Sequence, residues 1–531
     1  MSSPATLLSI VCYGLQDTKL YCPKGQPDIK HYVKAIKKTT RWAAQWIRLD
    51  FDNQPAFGQR ATCTIPRKAE LLSQLTLVVN MPDISSPQIA AIRASAPNTF
   101  LGPYFGWTNS LGHALINLLE FDIGGVNVDR MDGLFLELFD ELYESNETVR
   151  SKNRMIQRIA NGFNSRSIGH DATPTQVEVP LPFWFSRGSY CNALPIDGLS
   201  TDMIQVHVTL RPLQQLYFTE SRNDLRNNSL PNTKIPSVCD CVEGTMPGIE
   251  GAQFYKSNPL SKTLVYNIDP KQQLQGISGE IIKNYGMPIK LAIGDCYLMA
   301  EYISLEDNEA IAIRSSMVDY RVEQHYIVPP VATQRAANVR VRLPYRNPVK
   351  DIIWVAQRPE VSSFNSWFLF SRDLMPNTTK SSNWWRKPWW PDAVLTSSDQ
   401  ALPAFRYAHS EPIQGAQLSF SSVVRVNHQT TPSIFRTLLP ILHYRKAPLF
   451  NRYIYVYPFS LAPGASDDPS IGEVVLPRGL SNWEKLPKKE LQLTMNPDIN
   501  SQHLNLNIYA YVTTFNIFRI FAGRGVMLFA Y

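Results

Sequence analysis

The sequence predicts an all-β fold built as two strand-rich blocks, about residues 41–215 and 291–531, and three observations carry that expectation. Apolar and polar residues alternate with period two in most ordered-looking segments, the pattern of a strand with one buried face. Helical periodicity of any length is confined to one segment, Arg130–Ser145. At 531 residues and 44% apolar composition, with no low-complexity tract, the chain exceeds one ordinary core, since domains usually run about 50–250 residues.

Residues 1–40 read as a basic arm ahead of the first block. Lys19, Lys24, Lys30, Lys34, Lys37, Lys38, Arg41 and Arg48 face only Asp17 and Asp28 in the first 48 positions, so most of the net +7 sits there. Such an arm suits an acidic partner, an anionic membrane surface or nucleic acid, with a solvated lysine run as the plain alternative. Gly124-Gly125 supplies the positive-φ freedom of a tight hairpin turn after a strand ending near Ile123. The segment Arg130–Ser145 then places Leu134, Phe135, Leu138, Phe139, Leu142 and Tyr143 on one face. Asp132, Glu137, Asp140, Glu141 and Glu144 fall largely on the other, which predicts an amphipathic helix packed on a sheet. Val177–Phe185 and Met203–Leu210 are expected strands of the first block.

Residues 216–290 are mixed polar and Pro/Gly-rich, a linker with a loop insertion. In the second block a short helix is expected at Glu306–Ser315 and strands at Asn338–Leu343, Arg452–Leu461 and His503–Val512. Residues 358–412 form an irregular stretch containing Trp384, Trp385, Arg386, Lys387, Pro388, Trp389 and Trp390, so four of the eleven tryptophans lie within seven residues.

The patterns of common chemistries are missing. No GxxxxGK[ST], HExxH, GxSxG or strand-to-helix GxGxxG occurs, and Gly523-Arg524-Gly525 reads as a turn. His428 and His443 are fifteen apart without an acidic or cysteine partner at metal spacing. Glu301, Glu306 and Asp307 read as an acidic turn or helix start rather than a glycosidase pair. The cysteines at 12, 22, 63, 191, 239, 241 and 296 are odd in number and scattered, which predicts free thiols in a reducing compartment. No apolar run reaches the roughly 18 residues of a membrane span, no basic region precedes the apolar start, and the sequons at Asn146, Asn227 and Asn377 stand without a secretion signal. Together these predict a soluble, intracellularly made protein that is not an enzyme and carries no catalytic, cofactor or metal site.

Five segments in chain order carry a family resemblance. Gly112-His113-Ala114-Leu115-Ile116 runs into Gly124-Gly125-Val126-Asn127-Val128-Asp129-Arg130. Pro180-Leu181-Pro182-Phe183-Trp184-Phe185 is followed by Ala193-Leu194-Pro195-Ile196. Then come Asn347-Pro348-Val349-Lys350-Asp351-Ile352-Ile353-Trp354-Val355-Ala356-Gln357 and Ile454-Tyr455-Val456-Tyr457-Pro458-Phe459-Ser460-Leu461. Last is Phe515-Asn516-Ile517-Phe518-Arg519-Ile520 with Gly523, Gly525 and Leu528-Phe529-Ala530. This series resembles the major capsid proteins of the nucleocytoplasmic large DNA viruses, the double jelly-roll family.

The resemblance implies two consecutive eight-stranded jelly rolls, with a few short helices and long loops. It further implies a homotrimeric, pseudo-hexagonal capsomer tiling an icosahedral shell, in a virion capsid made and assembled in the host cytoplasm. The implied partners are the chain itself, neighbouring capsomers, minor capsid and penton proteins and an internal membrane surface, with no specific nucleic acid. A charge fraction of 18% and 11% aromatics fit a chain in contact with other chains. Trp384, Trp385, Arg386, Trp389 and Trp390 are the expected intersubunit anchor, a loop-covering minicore or outer glycan contact being the alternatives. Lys30, Lys34, Lys37 and Lys38 are the expected contacts to internal partners, against a strap on their own subunit. Competing functions are a scaffolding or minor capsid relative and a jelly-roll carbohydrate-binding protein.

Overall fold

The computed structural model describes residues 41–84, 104–145, 148–158, 175–187, 192–220, 264–265, 291–359, 367–370, 411–421, 423–428, 430–448, 452–461, 463, 479–484, 486, 488–497 and 503–529. Their strands form two pairs of antiparallel sheets and one small extra sheet. In the first pair, one sheet orders Trp42–Asp50, Cys296–Leu305, Leu71–Met81 and Thr175–Pro180, with Leu194–Pro195 also on Leu71–Met81. The other orders Arg60–Thr64, Ile204–Leu210, Ile116–Ile123 and Val126–Met131. In the second pair, one sheet orders Val318–Ala332, Asn507–Phe521, Pro348–Gln357 and Tyr455–Pro458. Ser481–Asn482 joins it on Pro348–Gln357 and Arg524–Met527 on Asn507–Phe521. Its companion orders Asn338–Arg342, Lys489–Met495, Ile413–Phe420 and Val423–His428.

Period-two patterning is realised directly: Leu491, Leu493 and Met495 are buried while the residues between them are partly exposed. Pro348–Gln357 is apolar and buried along nearly its whole length, because it lies between two strands of its sheet and both faces are covered. The buried apolar residues of both sheet pairs form one continuous cluster, so the halves share a core.

Several boundaries differ from the sequence expectation. Cys296–Leu305 pairs with Trp42–Asp50 on one side and Leu71–Met81 on the other, so this strand, expected in the block beginning at residue 291, completes the first sheet. Within 216–290, Tyr217–Glu220 and Leu264–Val265 are short strands of the extra sheet with Tyr104–Trp107 rather than plain linker. The strand expected over Val177–Phe185 ends at Pro180, because Pro180 and Pro182 cannot donate to the ladder and Phe183 N–H turns back to the Leu181 carbonyl. Only Tyr455–Pro458 of Arg452–Leu461 is strand, and the last long strand starts at Asn507 rather than His503. The hairpin at Gly124 (φ 60°) and Gly125 (φ 79°), the turn at Gly523 (φ 79°) and the helix Asp307–Ser315 lie where expected.

The long helix runs Gly133–Tyr143; Arg130 and Met131 belong to the preceding strand. Asp132 closes the start by accepting a hydrogen bond from Phe135 N–H at 2.7 Å. Glycine is required at 133, since an added Cβ would come within 2.1 Å of the His113 carbonyl oxygen. The expected apolar set is buried, with Leu138 and Leu142 at 0% exposure and Phe139 at 8%. The polar set is buried too: Glu137 is at 0% and Asp140 and Glu141 at 2%, so the helix has no solvent face there.

Phe139 stacks on Tyr143 at 4.4 Å, and the Arg187 guanidinium lies over its ring at 5.0 Å. Phe139→Ala is expected to cost about 3–5 kcal/mol of unfolding free energy in denaturant titrations. A loss under about 0.5 kcal/mol would show that the ring is not part of the core.

Candidate functional site

The residues expected to contact other chains, Trp384, Trp385, Arg386, Trp389 and Trp390 and the arm residues Lys30, Lys34, Lys37 and Lys38, lie outside the described residues. So do Cys12, Cys22, Cys191, Cys239, Cys241 and the sequons at Asn146, Asn227 and Asn377. Cys63 and Cys296 are buried free thiols, each pushed up to about 12 chiefly by burial.

Among the weaker chemical candidates, His428 sits edge-on to Phe435, and His443 Nδ1 lies 2.8 Å from the Leu461 carbonyl. Glu301 is not part of an acidic turn: it lies within Cys296–Leu305, buried, and accepts from Ser73 Oγ. Glu306 and Asp307 do open a helix. No cluster of three His, Cys, Asp or Glu suited to a metal occurs among the described residues.

The densest polar site is the seam between the two sheet pairs, which is organised by the helix Gly133–Tyr143. Glu137 accepts from Arg452 at 2.9 Å, from Arg158, and lies 2.8 Å from His113 Nδ1. Asp140 meets Lys152 and, at 3.1 Å, Arg158; Glu141 lies 3.3 Å from Lys446 and 3.6 Å from Arg452. His113, Lys152 and Arg158 come from the first half of the chain, Lys446 and Arg452 from the second. Burial alone would raise these carboxyls. The cations overcome it, so Glu137 is held well below the usual carboxylate range by Arg158, Arg452 and His113, with Asp140 and Glu141 lowered in the same way.

A second layer lies beside it. Asp351 accepts from Tyr143 and, at 2.9 Å, from Tyr444; burial first and Asp351 second push both phenols well above their ordinary value. Glu323 pairs with Lys350 at 2.7 Å and with Arg187, and these two cations outweigh burial to hold it at about 2. His325 Nδ1 and N–H meet Asp129, the Gln324 amide donates to the Val128 carbonyl at 2.6 Å, and Tyr511 donates to Asp132 at 2.9 Å. Asp132 is raised, chiefly by burial.

Glu137, Asp140 and Glu323 are held by buried cations from both halves of the chain, so the arrangement acts as a clamp holding one sheet pair against the other. The amphipathic pattern puts Glu137, Asp140 and Glu141 on a polar face and does not by itself mark them as a site. A signal was present: the helix contains no Lys or Arg, so its acids have no partner at i+4 and had to be neutralised from elsewhere.

Replacing Glu137 by Gln or Leu is expected to destabilise the chain by about 3–5 kcal/mol, because buried Arg158 and Arg452 lose the carboxylate they share and keep only Asp140 at 3.1 Å and Glu141 at 3.6 Å. A change under about 1 kcal/mol in denaturant unfolding would remove the clamp. Glu137, Asp140, Glu141 and Glu323 all have folded values below their unfolded ones. Their contribution is therefore complete above the unfolded carboxyl range of about 4–4.5 and is lost as pH falls toward the folded values, about 2 for Glu323. Asp132, with a raised value, works in the opposite sense. The melting temperature should thus hold above about pH 5 and drop steeply between about pH 4.5 and 2; a flat profile there contradicts the assignment.

Comparison with known proteins agrees with this architecture. The family description "Major capsid protein N-terminus" matches residues 30–250, and "Large eukaryotic DNA virus major capsid protein" matches residues 309–526. The major capsid protein of Phaeocystis pouchetii virus is 22% identical, with 99% of each chain covered. That of Chrysochromulina ericina virus is 24% identical over 66% of this chain and 57% of its own length. Among solved structures, PBCV-1 VP54, fitted into a reconstruction of the virophage Sputnik, superposes with a TM-score of 0.62 at 14% identity, over 94% of this chain and 100% of that one. The Faustovirus major capsid protein gives 0.54 at 10% identity, over 95% and 94%. The two sheet pairs are the two jelly rolls of that fold, and the chain belongs to the major capsid protein family of the large eukaryotic DNA viruses.

Proposed function

We propose that the chain is the principal shell subunit of its virion, acting as a homotrimer whose two jelly rolls per copy make a pseudo-hexagonal capsomer. The observation that carries this reading is the seam: a clamp of buried ion pairs and a continuous core make the two jelly rolls one block. Three such blocks about a threefold axis present six similar lobes, and closed symmetry of this kind tiles a hexagonal lattice. The reading assigns no catalytic step to the chain.

In the same reading Trp384, Trp385, Arg386, Trp389 and Trp390 anchor subunit contacts, since Trp and Arg dominate interface hot spots. Lys30, Lys34, Lys37 and Lys38 face minor capsid proteins, penton proteins or an anionic membrane on the inner side. Assembly takes place in the host cytoplasm.

Light scattering and negative-stain microscopy of the purified chain are expected to give compact trimers with a hexagonal outline. A folded, stable monomer at micromolar concentration would refute the proposal.

A further inference from the structure

The C-terminal hairpin and the short helix beside it form an exposed corner that the seam does not use. Asp319 pairs with Arg519, Arg519 with Val526 and Phe521 with Arg524 across three adjacent strands, so these side chains share one face. The face is open and carries exposed apolar groups among its charges: Phe521 is 63% exposed, Val526 58%, and Met317, directly before the first strand, 55%. At its centre Arg519 holds Asp319 through two bonds of 2.7 and 2.8 Å. Arg321 and Arg524 are exposed and form no ion pair among the described residues.

The hairpin is fixed from behind. Thr201 N–H donates to the Gly523 carbonyl at 2.9 Å and Gly525 N–H to Asp202 at 2.7 Å. An added Cβ at Gly525 would meet the Phe518 ring at 2.2 Å, so glycine is needed for this close approach. The face is therefore preformed, and little ordering is lost when it docks.

The neighbouring helix Asp307–Ser315 packs on the same loop, since Ile313 and Ile520 both flank Gly198 and Arg314 pairs with Asp197. It offers the complement: Ile311 is 57% exposed, Asp307 lies one turn before it, and Glu306 and Asp307 are exposed without cationic partners among the described residues. One corner thus carries a face of exposed apolar groups and arginines next to an apolar stripe with carboxylates.

From this juxtaposition we infer that the corner is a contact between copies of this chain, the Phe521/Val526 face of one docking on the Asp307/Ile311 face of the next. A cyclic assembly needs two different, complementary surfaces on each copy, and two set side by side at one corner meet their counterparts when copies gather round an axis there. Opposite charges at the edges fix the register. The inference rests on the self-assembly reading above.

The test uses the full chain, with mass by light scattering and folding by thermal melt. Phe521→Asp with Val526→Asp should leave the melt in place and shift the chain to monomer. Arg524→Glu or Asp307→Lys alone should weaken association about tenfold, and the two together should restore it to within about threefold of the parent. These surface charge changes keep the test open if the aspartates disturb the hairpin. Parent-like association of the folded double aspartate variant, or a swapped pair as weak as its single changes, overturns the inference while the assembly reading stands. A parent chain that never associates removes the assembly reading itself, and this contact with it.

Discussion

The helix Gly133–Tyr143 carries three carboxylates into the protein interior, and the rest of the architecture has to answer that charge. An unpaired carboxylate in such surroundings costs several kcal/mol, so Glu137, Asp140 and Glu141 can be buried only where cations arrive with them. Arg158 and Lys152 arrive from the first jelly roll, Arg452 and Lys446 from the second. Neither jelly roll alone neutralises the helix. Separating them would strand charges on both sides, which makes two structurally similar units behave as one body.

Apolar contact alone would not orient that body, because burial is roughly proportional to area and indifferent to direction. The seam adds groups that are directional. Tyr143 and Tyr444 converge on one carboxylate of the second jelly roll, the Gln324 amide reads a backbone carbonyl of the first, and Asp129 takes both the backbone and the ring of His325. Each is satisfied at one relative placement of the halves. The cost is sensitivity to acid, since Glu137, Asp140, Glu141 and Glu323 must stay ionised for the seam to hold.

The fold class was legible because strands announce themselves locally. Val339 and Val341 alternate with exposed neighbours in the sheet as they do in the sequence, and Gly124, Gly125 and Gly523 mark turns that demand positive φ. What depended on distant partners was not legible. The acids of Gly133–Tyr143 looked like a solvated face because amphipathic periodicity reports that a face is polar, not where it lies; Arg452, which neutralises Glu137, is more than three hundred residues away. Cys296–Leu305 looked like the start of the second block for the same reason, as nothing in a strand's own pattern names the sheet it joins. The family resemblance was carried by strands and turns, and none of its motifs spelled out the ion pairs of the seam.

That strand also dictates an order of events at the ribosome. Among the described residues Trp42–Asp50 has a single neighbour in its sheet, Cys296–Leu305, which is also inserted beside Leu71–Met81. Chains emerge N-terminus first, at about 5–20 residues per second. Both earlier strands therefore leave the exit tunnel well before the segment that joins them exists. Throughout that interval each presents a row of unmatched amides and carbonyls, the kind of edge on which chains pair wrongly. The interval before residue 305 is translated is therefore when nascent chains are most exposed to tangling with one another.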